Sequence, residues 1–105
     1  MTNAEFDAFV DALAGIAGKN VLVEIMRSED GHVVAEIRGR LGPIVLGEDL
    51  HQERRGVGWA PIGEEPVADR GNGFWIDRAR CRGSEVTRQV IRGVFDDLIY
   101  IVTPA

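Results

Sequence analysis

The sequence predicts a mainly β domain in which one N-terminal helix is followed by a strongly bent, five-stranded small barrel. Three observations carry this expectation. Apolar residues recur at helical spacing near the start of the chain, and two strand-like segments, 18–25 and 32–41, flank a turn. The third is Gly39, which stands inside the second segment two residues before Leu41. A glycine there lets a long strand bend sharply enough to serve two sheets.

Phe6, Phe9, Val10, Leu13, Ile16 and Ala17 share one helical face, so residues 3–17 are predicted to be helical. Thr2 with Glu5, or Asn3 alone, can cap the start, and Gly15 or Gly18 can end it. The apolar stripe is expected to close one open end of the barrel, because a helix this short gains most of its stability from packing. Val21, Val23 and Ile25 then line one strand face, and Ser28-Glu29-Asp30-Gly31 is a turn whose glycine can take positive φ. In the second strand Val33, Ala35, Ile37 and Leu41 face inward, with His32, Glu36, Arg38 and Arg40 outward.

A short strand over 44–46 and another over 57–62 containing Trp59 are expected, with polar loops over 47–58 and 63–73. Phe74 and Ile76 are out of phase with Ala79 and Cys81. A bulge near Asp77 would turn all four inward and leave Trp75, Arg78, Arg80 and Arg82 outside. Residues 85–92 fit a helical turn or a strand, and 98–102 is a buried strand. The ribbon is expected to roll up around Val21, Val23, Ile37 and Ile101.

At 105 residues the chain makes one domain, 1–105, able to fold without disulfides or metals. Its one cysteine, Cys81, forms no internal disulfide, so a reducing cytoplasm is expected. The acidic N-terminus lacks the basic start of a signal peptide, and the run 98–102 is too short to span a bilayer. A net charge of −5 disfavours general affinity for nucleic acid or anionic membrane. The charge is uneven, however. Arg78, Arg80, Arg82, Arg88 and Arg92 face only Glu85 within 78–92. Eleven of the twelve basic residues are arginine, which GC-rich coding explains as readily as guanidinium recognition.

Gly18-Lys19-Asn20-Val21 with Gly39-Arg40-Leu41 resembles the first motif of the Sm-like family of SH3-like barrels. Ile91-Arg92-Gly93 with Leu98-Ile99-Tyr100-Ile101 resembles its second. The resemblance implies a nearly closed sheet whose two edges pair with neighbouring subunits in a ring, which in many members binds single-stranded RNA. The family's RNA pocket uses an Asp and an Asn shortly after the Gly-x-Leu, together with the Arg of the Arg-Gly pair. Here Gly42-Pro43-Ile44-Val45-Leu46 stands where the polar pair belongs, and only Arg92 carries over. The link Val94-Phe95-Asp96-Asp97 is also longer than the family's.

Trp75 beside Arg78, Arg80 and Arg82 is the candidate recognition surface, since an aromatic plane stacks on a base while guanidinium groups hold phosphates. The plainer alternative is a charged strand face with acidic neighbours such as Asp77 and a tryptophan covered by the long loop. Arg92 is either a ligand contact or an ion-pair partner of Asp96 or Asp97, and the ion pair is the favoured reading. His51 with Glu48, Asp49 and Glu53, joined by His32 or Cys81, has metal-ligating chemistry without a known ligand spacing. Ser84 lacks the setting of a nucleophile elbow, and a thiol in a core strand is inert. No enzyme activity, cofactor or bound metal is therefore expected. The function expected is a non-enzymatic binding or assembly module that self-associates through strand edges into a homo-oligomer. The alternatives are a single-stranded nucleic-acid binder and a metal or enzymatic protein built on the His51 loop.

Overall fold

The computed structural model describes residues 3–46, 57–63 and 72–104. Asn3 starts helix α1 (Ala4–Gly15), its side-chain oxygen accepting from the amides of Glu5 and Phe6 at 3.1 and 3.2 Å. Glu5 and Asp7 in the first turn suit the positive end of the helix dipole. Phe6, Phe9 and Leu13 are buried, as their spacing requires.

Among the described residues eight strands follow: β1 (Asn20–Arg27), β2 (Val33–Arg40), β3 (Val45–Leu46), β4 (Val57–Ile62), β5 (Asn72–Asp77), β6 (Cys81–Val86), β7 (Ile91–Phe95) and β8 (Leu98–Pro104). They form two antiparallel sheets, one ordered β2-β1-β8-β7-β6 and the other β3-β4-β5. The five strands expected from sequence are thus eight, and the two sheets are not closed into a barrel. The β1–β2 turn carries Gly31 at φ +72°, with Asp30 pairing to Arg27 at 2.6 Å and accepting from the His32 amide at 3.0 Å.

Gly39 does what its position suggested. At φ +154° it lies in a region that L side chains avoid, and a Cβ there would stand 3.0 Å from Ile62. Immediately beyond it the chain also reaches the second sheet. Leu41 bridges to Ile62, the Gly63 amide donates to the Arg40 carbonyl at 3.0 Å, and the Gly42 amide to the Pro61 carbonyl at 2.9 Å. One bent strand therefore joins both sheets.

The second joint lies between β5 and β6, where a 3-10 turn, Arg78–Arg80, replaces the expected bulge. Asp77 creates it by accepting from the Ala79 amide at 2.9 Å. The turn rephases the chain as a bulge would, so Phe74, Ile76 and Cys81 are buried, but it turns Ala79 out to solvent. The ambiguous stretch 85–92 is the hairpin between β6 and β7. The Thr87 hydroxyl accepts from the Gln89 and Val90 amides, and the Thr87 amide donates to the Val90 carbonyl at 2.9 Å.

One core cluster unites α1 with both sheets. Val21 and Val23 are central to it and Ile37 packs against it. Ile101 does not: β8 buries Tyr100 and Val102, so alternation turns Ile101 to the other face, beside Glu24 and Arg92 in register. Val33, expected inward, is 48% exposed beside the β1–β2 turn. The helix stripe packs across β6 and β7, where Gly93 admits Phe9 and Phe95 so closely that a Cβ would lie 2.7 Å from each ring. Phe9 and Phe95 meet edge to face at 5.4 Å.

Asn3 ties these parts together. Besides capping α1, its amide nitrogen donates to the carbonyls of Arg78 and Cys81, both at 3.0 Å. Asn3→Ala removes the cap and both long-range bonds, and is expected to cost roughly 2–4 kcal/mol in urea unfolding. Asn3→Asp keeps the cap but not the donor, so it is expected to recover only part of the loss. Gly93→Ala is expected to destabilise by about 1–3 kcal/mol through overpacking, read from the same unfolding curves.

Candidate functional site

The chain brings part of the predicted recognition surface together and neutralises it. Arg78 is largely covered, its side chain 22% exposed with the guanidinium carbon 5.0 Å from the Phe6 ring centroid and Asp7 at 4.0 Å. Arg80 stands between Asp77 at 3.9 Å and Asp96 at 3.8 Å. Arg82 grips Asp96 through two nitrogens at 2.9 and 2.8 Å. The 3-10 turn breaks the strand alternation that would have aligned the three arginines in a row.

Arg92 lies elsewhere, half-buried on β7 between Glu85 and Ile101 in register. The ion pair expected for it with Asp96 or Asp97 is not formed. Four residue steps along an extended chain set positions 92 and 96 about 13 Å apart, and Asp96 is taken by Arg82 and Arg80. Asp96 itself occupies the β7–β8 turn at φ +51°, a conformation that aspartate tolerates better than most residues.

Trp75 is 46% exposed on β5 and opposes Trp59 of β4, the ring centroids 4.8 Å apart. Trp75, Asp77, Arg80, Asp97 and Tyr100 line a cleft of about 260 Å³ beside the β7–β8 turn. The Tyr100 hydroxyl donates to the Trp75 carbonyl at 3.0 Å, pinning β5 against β8. Burial pushes the Tyr100 phenol above its ordinary pKa; the charge of Arg80 opposes the shift and that of Asp97 adds to it. With one arginine against two aspartates, the cleft wall has no excess of positive charge for phosphate.

The remaining chemistry is sparse. Cys81 is buried and burial raises its thiol pKa, which suppresses the reactive thiolate. The Ser84 hydroxyl donates to Glu5 at 2.8 Å, a structural bond. His51, Glu48, Asp49 and Glu53 lie outside the described residues. Among the described residues no cluster of histidine, cysteine and carboxylate side chains could hold a metal ion, and no helix is long and apolar enough to cross a membrane.

The sheet edges are more informative, because the five-stranded sheet ends on two unlike strands. On the β6 side, the start of α1 takes two backbone groups of the strand. Asn3 takes the Cys81 carbonyl, and Glu5 accepts from the Ser84 amide at 2.8 Å. On the β2 side, the Leu41 amide points toward β1, donating to the Lys19 carbonyl at 2.9 Å, and the Arg40 carbonyl points away to Gly63. Antiparallel alternation then directs the backbone groups of Ile37 and Gly39 to β1, and those of Glu36 and Arg38 outward.

No described residue pairs with that outward row. A register shift, from Ile25 opposite Ala35 to Met26 opposite Val33, leaves Val34 bulged at one end of it. Val33 and Val34 are about half exposed there. The sequence predicted association through edges but contained no sign of which edge is open, since Asn3 and Glu5 are more than seventy residues from the strand they cover. Comparison with protein-family models, curated proteins and solved structures finds no match.

Tyr100 makes stability depend on pH. Its folded pKa lies above the unfolded value of about 10, so its contribution is present in full below that value and is lost as pH rises through the folded pKa. Tyr100→Phe is expected to flatten the alkaline fall in stability while costing about 1 kcal/mol at neutral pH through the lost bond to Trp75. Urea unfolding at neutral and alkaline pH checks both.

Proposed function

We propose that this chain is a non-enzymatic binding and assembly module that works by adding an extended strand to the outer edge of β2. The observation that carries the reading is the inequality of the two edges: α1 occupies backbone groups of β6 at Cys81 and Ser84, whereas those of β2 at Glu36 and Arg38 point away from β1 and have no strand partner among the described residues. An open edge is a template for another strand, with main-chain hydrogen bonds supplying affinity and alternate side chains specificity.

We read the two sheets as an open, elaborated relative of the Sm-like barrel. The bend at Gly39 and the bridge from Leu41 to Ile62 support that reading. Single-stranded nucleic acid is the weaker alternative, because Arg78, Arg80 and Arg82 are spent on Asp7, Asp77 and Asp96. A reducing compartment such as the cytoplasm suits a chain whose single cysteine is buried.

Proline distinguishes the edge from the fold. The Glu36 amide points outward, so Glu36→Pro removes a donor that β1 does not use, whereas Ile37→Pro removes a ladder bond. Light scattering coupled to size exclusion is expected to show wild-type assembly at high concentration and a folded monomer for Glu36→Pro, by circular dichroism. Ile37→Pro is expected to unfold. A Glu36→Pro chain that still assembles would exclude the β2 edge as the interface.

A further inference from the structure

We infer that the strand added to β2 is β2 of a second copy, antiparallel, with the two-fold axis at Ile37. This deepens the reading above and rests on it. Three independent features lead there.

The first is the extent of the edge. The regular stretch with no partner among the described residues is bounded on one side by the bulge at Val34 and on the other by the Arg40 carbonyl, which Gly63 already uses. Within 35–39 only Glu36 and Arg38 offer outward backbone groups, and the midpoint between them is Ile37. A register centred there lets Glu36 of each copy exchange both hydrogen bonds with Arg38 of the other, about four bonds in all. No other centre uses every open group of both strands.

The second is charge. Glu36 and Arg38 project from the same face of β2 and lie 3.2 Å apart within one chain, their side chains 46% and 75% exposed. Centring on Ile37 sets Glu36 directly opposite Arg38 of the second copy, twice. Centring on Glu36 opposes the two Glu36 side chains, and centring on Arg38 opposes the two Arg38 side chains while setting Glu36 opposite Arg40, so each neighbouring slip carries a like pair that the Ile37 register avoids. The pattern thus selects a register as well as permitting one.

The third is symmetry. Head-to-tail assembly in which β2 adds to β6 of the next copy would build a ring or a filament. The β6 edge is interrupted by Asn3 and Glu5, so that route is closed while α1 is docked. Pairing of β2 with itself needs one surface only, and produces a closed dimer with one continuous sheet across both copies.

The test is charge reversal with mixing. Wild type is expected to scatter with twice the 11.5 kDa chain mass. Glu36→Arg and Arg38→Glu are each expected to lose the dimer while remaining folded by circular dichroism, and their equimolar mixture is expected to recover it. For register, Glu36→Cys mixed with Arg38→Cys is expected to give a disulfide-linked pair on mild oxidation, since directly opposed Cα atoms stand about 5.5 Å apart. Neither variant alone is expected to crosslink, and Cys81 is buried out of reach. Assemblies larger than two, single reversals that still dimerise, or crosslinking of either variant by itself would overturn this inference. If Glu36→Pro still abolished assembly, the broader reading would stand without it. A wild type that stays monomeric at high concentration would overturn both.

Discussion

Asn3 is the residue on which the arrangement of the layers depends. Its oxygen accepts from two amides of the first helical turn and its nitrogen donates to Arg78 and Cys81 across the sequence. One side chain therefore starts the helix, clasps the 3-10 turn that carries the chain from one sheet to the other, and occupies part of an edge strand. A carboxylate could perform the first task but not the others, because it has no donor. The helix is held at its beginning by polar geometry and along its length by Phe6, Phe9 and Leu13.

The same corner explains the fate of the arginines. Sequence neighbours 78, 80 and 82 look like a basic row only if the backbone is a continuous strand. Asp77 folds the chain into a tight turn instead, and the helix and the β7–β8 turn bring Asp7 and Asp96 to the guanidinium groups. The pairs of Arg80 and Arg82 are solvent-exposed and each contributes little stability. Carboxylates beside all three guanidinium groups offset their local positive charge.

Edge management supplies the functional logic. A sheet of five strands must end somewhere twice, and here one end is bonded in part by the chain's own helix while the other is charged and bulged. Charge and bulges are also the devices that guard an edge against indiscriminate pairing. In the pairing proposed for β2, opposite charges two residues apart would guard and select together.

Local chemistry made the helix, the β1–β2 hairpin and the bend readable from the residues alone. Helical spacing, a turn ending in Gly31, and Gly39 ahead of Leu41 each act within a few positions, so their signals survive in one dimension. The paths from Asp77 to Cys81 and from Glu85 to Arg92 were harder. Apolar phase shows that the chain must rephase or reverse, but not whether by bulge, 3-10 turn, helix or hairpin, which capping by Asp77 and Thr87 decided. What tertiary structure alone determined is which charges meet and which sheet edge the helix bonds. Those outcomes depend on pairs such as Glu5 with Ser84 and Arg82 with Asp96, brought together by packing of the helix and hairpins rather than by spacing along the chain.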